Sequence, residues 1–177
     1  MQTIWLSPTN FVSGDPTLRI SYPFVSHPST IVSCTSPGDL KWVSMGLRLP
    51  PDVQIEAVVV YYEVSNAQSF IAQVRLAEMT KPDHATVIHD DPAHLTSTAP
   101  TSHTSPVPGL VPSGAVTLEL RLNFQNTSDQ ILLGAVGINI ESAAGRCVNS
   151  IADLKALAAG GFRCVEVLGY YAPGDGG

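Results

Sequence analysis

Charge is scarce in this chain. Only 14% of its 177 residues are Asp, Glu, Lys or Arg, and nine scattered basic side chains face fifteen acids for a net charge of −6. Nucleic-acid backbones are held by clustered Lys and Arg, so that class of partner is excluded. Long apolar runs are missing too. None approaches the roughly 20 residues that a membrane-spanning helix needs, and the opening MQTIWLSPTN lacks the basic start and apolar stretch of a secretory leader. There are three cysteines, Cys34, Cys147 and Cys164, with no CxxC spacing. An odd count without that spacing argues against a disulfide framework or a zinc site and favours buried thiols, with a Cys147–Cys164 bridge as the alternative.

Catalytic patterns are equally absent. The chain has no GxSxG elbow, no HExxH or HxH pair, and no Gly-rich loop leading to a helix with a phosphate-binding Lys. Asp90 and Asp91 are adjacent, and neighbours in a turn cannot bracket a glycosidic bond at about 5–9 Å. His84, His89, His94 and His103 lie close in sequence to Asp83, Asp90 and Asp91. Imidazole and carboxylate together can ligate zinc, but the spacing fits no ligand set and the segment reads as a solvated loop. No metal, cofactor or catalytic residue is assigned, and the chain is read as not an enzyme.

What remains is a turn-rich β protein, with Gly and Pro at 14 each and hydrophobic residues at 44%. Apolar runs at 17–22, 29–34, 40–49, 53–64, 69–79, 85–89, 115–124 and 131–140 are separated by turn formers such as Pro50-Pro51-Asp52 and Asn126-Thr127-Ser128-Asp129. Strands at this spacing predict an antiparallel β-sandwich or jelly roll over 1–141. The clearest is 116–124, where Val116, Leu118, Leu120, Leu122 and Phe124 alternate with Thr117, Glu119, Arg121 and Asn123. Ala57 to Tyr62 is instead an unbroken apolar run, so both faces of that strand carry apolar side chains. Either a loop covers the second face or it forms a subunit interface through Val58, Val60 and Tyr62. Residues 90–114 read as a long irregular connection. Trp42 and one of Tyr61 and Tyr62 are expected in the core, because successive strand residues point to opposite faces. Trp5, outside the recognised strands, is the candidate for contact with carbohydrate.

After Glu141 the pattern changes. Residues 142–147 read as a linker, followed by a short helix with Ile151, Leu154 and Leu157 on one face, a Gly160-Gly161 stop, and a strand from Phe162 to Tyr170. The stretch 148–177, VNSIADLKALAAGGFRCVEVLGYYAPGDGG, resembles the opening of the pectate-lyase-like right-handed β-helix proteins, a group that includes phage tailspikes and polysaccharide-degrading enzymes. The resemblance rests on Ile151, Leu154, Leu157, Val165, Val167, Leu168, Gly169, Tyr170, Gly174, Asp175, Gly176 and Gly177. It implies an N-terminal helix-plus-strand cap of a truncated β-helix, with the chain ending before any coil and the family's catalytic carboxylates lying beyond Gly177.

That resemblance implies an assembly or attachment module of an extracellular or virion protein, tailspike-like. Such a module would be homo-oligomeric, with a trimer favoured, and would associate through Val58, Val60, Tyr62, Ile151, Leu154 and Leu157. The alternative is a carbohydrate-binding module, with Trp5 as its contact and polysaccharide as its partner, that targets a downstream lyase or hydrolase.

Overall fold

The structure is a computed structural model that describes residues 1–23, 27–142, 146–148, 151–156 and 165–167. Two antiparallel sheets pack face to face. The first runs β3 (Leu18–Ser21), β4 (Thr30–Cys34), β11 (Gln130–Ser142), β6 (Val53–Val64), β9 (Thr101–Leu110), and β1 (Gln2–Leu6) also pairs with β11. The second runs β2 (Val12–Ser13), β5 (Gly38–Leu47), β10 (Ala115–Phe124), β7 (Phe70–Lys81), β8 (His84–Asp91). From β5 onward the chain crosses between the sheets at almost every step, so most of the ladders join strands distant in sequence. This is the all-β sandwich that the strand spacing predicts.

The core lies between the sheets. Val116, Leu118, Leu120, Leu122 and Phe124 of β10 are all buried, as their alternation requires. They meet Ile55, Val58, Val60 and Tyr62 of β6 and Ile131, Leu133, Val136 and Ile138 of β11 in one hydrophobic cluster. A side chain such as Leu120, with no exposed surface, contributes roughly 1.5–3 kcal/mol by leaving water. Cys34 is a free, buried thiol in this cluster, and desolvation raises its pKa. Cys147 lies in a short strand, and Cys164 falls outside the described residues.

Two departures from the expected strand pattern shape the outer surface of the sandwich. Residues 90–114 are not one irregular connection, because they contain β9. Its sequence, TSHTSPVPGL, escapes recognition because Ser105 and Val107 point inward while Pro106 and Pro108 point out. Proline is tolerated there since β9 is an edge strand. The run Ala57 to Tyr62 is explained by a bulge. Ile55 pairs with Ile140 but Ala57 with Asn139, so Glu56 has no partner in β11, and none in β9. One extra residue reverses which positions face the core, and Val58, Val60, Tyr62 and Val64 therefore point inward.

The interface expected through Val58, Val60 and Tyr62 is accordingly corrected. These side chains are 0%, 0% and 8% exposed, packed against the opposite sheet and unavailable to another chain. Trp42 is corrected the other way, since it lies on the outer face of the second sheet, half-buried beneath the Arg75 guanidinium at 4.8 Å. Beyond the sandwich, β12 (Arg146–Val148) and β13 (Val165–Val167) form a parallel pair on either side of α1 (Ile151–Ala156). Ile151 and Leu154 fall in α1, whereas Leu157, Gly160-Gly161, Leu168–Tyr170 and Gly174–Gly177 fall outside the described residues.

Truncation of Leu120 to Ala leaves a cavity in the middle of the inter-sheet core. The expected cost is about 2–5 kcal/mol, read as a lowered midpoint in urea denaturation. A loss below about 1 kcal/mol would place Leu120 outside the core.

Candidate functional site

The reversal at Glu56 places Tyr61 on the outer face of the first sheet. There Gly134 and Ala135 of β11 together oppose it, because Leu133 pairs with Tyr62 and Val136 with Val60. A Cβ on Gly134 would lie 3.0 Å from the Tyr61 Cβ, so glycine lets this strand pass close beside the tyrosine without crowding it. Two residues beyond Ala135, Gly137 of β11 pairs with Trp5 of β1. The indole lies across that glycine, and an added Cβ would come within 3.0 Å of Trp5 Cζ3 and 3.1 Å of Thr3 Cγ2. Thr3 Oγ1 donates to Asn139 Oδ1 at 2.8 Å on the same face.

The result is an exposed aromatic pair. Trp5 is 57% exposed and Tyr61 43%, with ring centroids 6.1 Å apart and planes at 51°. Beside Tyr61 opens a cleft of about 590 Å³ lined by His27, Ser29, Glu63, Leu132, Gly134, Pro100 and the first residues of β9, Thr101 and Ser102. Among the described residues, no Lys or Arg lines it and Glu63 is its carboxylate. Aromatic faces flanked by hydroxyl and carboxylate groups can stack against C–H groups and hydrogen-bond hydroxyls. Two large exposed rings on a sheet are also the kind of apolar surface that marks a binding site.

The outer face of the second sheet is organised differently. Arg121 pairs with Asp39 through two nitrogens, and Arg75 pairs with Asp90 at 3.2 Å while covering Trp42. The Arg121 hydrogen bond holds the Asp39 carboxyl below its usual range. These charged groups satisfy one another and leave Trp42 with one face covered.

Among the described residues, the histidine-rich segment gathers no group of three or more His, Cys, Asp or Glu side chains placed to hold a metal ion. His84 and His94 are exposed, and His94 packs on Phe70 with ring centroids 4.5 Å apart. His89 and His103 instead turn towards the seam between β8 and β9. His103 Nε2 contacts Asp91 Oδ2 at 2.8 Å, and His89 Nε2 contacts Ser105 Oγ at 2.7 Å. Of the residues singled out from the sequence, Trp5 is at the site. The sequence does not decide whether its partner, Tyr61, lies in the core or on the surface, because the bulge that turns it outward has no signature beyond the unbroken apolar run.

No protein-family model matches the chain, and no curated protein does. Solved structures do match. One is the family-36 carbohydrate-binding module of a multidomain xylanase from the hindgut metagenome of Trinervitermes trinervoides, with TM-score 0.50, 12% identity and coverage of 78% of this chain and 97% of that one. A family-36 module in complex with calcium and xylotriose gives 0.47 at 14% identity, covering 78% and 100%. A family-6 module from Clostridium stercorarium in complex with cellobiose gives 0.49 at 10%, covering 77% and 92%. At these identities the likeness is one of fold, a β-sandwich. It corrects the resemblance of 148–177 to a pectate-lyase-like β-helix, since the fold that matches is a β-sandwich and nothing in the comparisons indicates a β-helix. The tailspike-like assembly role, which rested on that parentage, falls with it.

Gly137→Ala tests the seat of the indole. In a Trp42→Phe background, where Trp5 is the remaining tryptophan, the added methyl should displace the ring and change its fluorescence, with a stability loss of about 1–3 kcal/mol from overpacking. An unchanged emission spectrum would mean that Trp5 does not rest on Gly137.

Proposed function

We propose that this chain is a non-catalytic carbohydrate-binding module whose site is the Trp5–Tyr61 face of the first sheet. The observation that carries the reading is the exposed aromatic pair, seated on glycines and bordered by a cleft rich in hydroxyls. An indole left 57% exposed on a strand has surface to spare for a ligand. The fold supports the same reading, because a matching sandwich is a carbohydrate-binding module of a xylanase.

The partner is a neutral polysaccharide. Glu63 in the cleft, the absence of Lys and Arg among the described residues of its lining, and a net charge of −6 all oppose a polyanion such as a polyuronate. The tilt of 51° between the rings suits a single chain that bends across them better than a flat crystalline surface, which requires coplanar faces. A module of this kind works outside the cell, where such polymers occur.

Affinity electrophoresis in gels containing soluble xylan, hydroxyethyl cellulose or polygalacturonate tests this directly. The chain should be retarded by a neutral polymer and not by polygalacturonate. Trp5→Ala and Tyr61→Ala should each weaken binding by at least about tenfold, as loss of a central aromatic anchor does. Trp42→Ala should leave binding intact and cost about 0.5–1 kcal/mol of stability through the lost Arg75 contact. Binding that survives Trp5→Ala but not Trp42→Ala would move the site to the opposite sheet.

A further inference from the structure

Past Trp5, on the side away from the cleft, the outer face of the first sheet carries one more cross-strand pair. Thr3 of β1 pairs with Asn139 of β11, two residues along from the Trp5–Gly137 pair. Ile138 and Ile140, on either side of Asn139, are 0% and 4% exposed, so the alternation of the strand turns Asn139 outward. Its neighbour on the other flank is Ala57 of β6, whose side chain is a single methyl, and Asn139 is only half-buried. Diagonal neighbours in a ladder lie about 7–8 Å apart, within reach of an aromatic side chain. Trp5 and Asn139 stand in that relation, so one ligand can touch both.

The amide is held on one edge and open on the other. Thr3 Oγ1 donates to Asn139 Oδ1 at 2.8 Å, and the Asn139 side chain makes no other hydrogen bond among the described residues. Its Nδ2 is the other substituent of the same trigonal carbon, so the two N–H donors point away from Thr3. Among the described residues no buried side-chain nitrogen or oxygen lacks a partner, so this unpartnered nitrogen reaches solvent. Fixing an amide in one orientation costs side-chain entropy, and the bond to Thr3 offsets that cost before any ligand arrives. A hydroxyl, by contrast, turns about its C–O bond to suit its partner.

We propose that Asn139 is a specificity-determining residue of the saccharide site, presenting its Nδ2 donors to a hydroxyl or ring oxygen of the sugar unit stacked on Trp5, with Thr3 as the residue that positions it. The inference rests on the binding reading above and extends that site one cross-strand pair beyond the aromatic rings. Stacking on an indole recognises an apolar face and tolerates variation around the rim of the ligand. A fixed donor does not. Once a ligand covers the face and displaces water, an N–H left without an acceptor costs more than the bond would have contributed. A unit with no oxygen at that place is therefore rejected.

The test compares the full chain with Asn139→Leu, Thr3→Val and Thr3→Ser in affinity gels containing soluble xylan or hydroxyethyl cellulose, with urea denaturation confirming that each is folded. Asn139→Leu keeps the branched outline and loses the donors, so binding should weaken about three- to tenfold, the worth of one neutral hydrogen bond. Thr3→Val keeps the shape and removes only the hydroxyl. It should weaken binding about twofold or more, because the ligand must then order the amide itself. Thr3→Ser keeps the hydroxyl and should bind as wild type does. A second measurement needs no variant: in isotope-labelled wild type, the Asn139 side-chain N–H resonances should shift saturably with xylan- or cellulose-derived oligosaccharide. Equal affinity of Asn139→Leu and wild type, or stationary Asn139 resonances at saturating oligosaccharide, overturns the proposal and leaves the aromatic site standing. Equal weakening by Thr3→Val and Thr3→Ser overturns the positioning role of Thr3. If neither polymer retards the wild type, the binding reading fails and this inference fails with it.

Discussion

The register of β6 between β11 and β9 governs the rest of this molecule. With Ile55 facing inward, an uninterrupted strand would bury Tyr61 and expose Tyr62. The unpaired Glu56 reverses that order, so Val58, Val60, Tyr62 and Val64 fill the core. The matching irregularity at Gly134-Ala135 restores core-to-core pairing further along β11, where Leu133 meets Tyr62 and Ile131 meets Val64. Bulges of this kind re-aim side chains without disturbing the sheet as a whole. Here the side chain re-aimed is the one that completes the aromatic pair.

Each element of the face depends on that register. Trp5 packs close over its cross-strand neighbour Gly137, where a Cβ would crowd the ring. Tyr61 reaches it because β11 carries glycine at the bulge. One wall of the cleft comes from the start of β9, which is paired to β6. The opposite face of the sandwich shows the contrast. There Arg121, Asp39, Arg75 and Asp90 hold one another and cover Trp42, so the polar groups are satisfied within the protein. Two sheets of similar size thus present one self-contained face and one with exposed rings.

Much of the sandwich is legible in the sequence where alternation is strict. β10 is the clearest case, because Val116 to Phe124 keep one period throughout. Legibility fails where local signals conflict with the tertiary setting. β9 is built of Ser, Thr, Pro and Gly, which read as loop, yet an edge strand tolerates them. β1 escapes notice because five residues, only partly buried, carry little periodicity. Of the aromatic pair, Trp5 is a candidate contact from the sequence, while Tyr61 cannot be separated from Tyr62, since an apolar run hides a parity change that only pairing reveals. The resemblance of 148–177 to a β-helix opening misleads in a different way. A short motif of small and apolar residues lends its weight to the whole chain, and the fold likeness of the sandwich outweighs it.

The central claim is that ligand meets the face carrying Trp5 and not the face carrying Trp42. A titration of isotope-labelled protein with xylan- and cellulose-derived oligosaccharides, followed through the two indole N–H resonances, separates these directly. The expected result is a saturable shift of the Trp5 signal while the Trp42 signal, held under Arg75, stays in place. A shift confined to Trp42, or two stationary signals at saturating oligosaccharide, would contradict it.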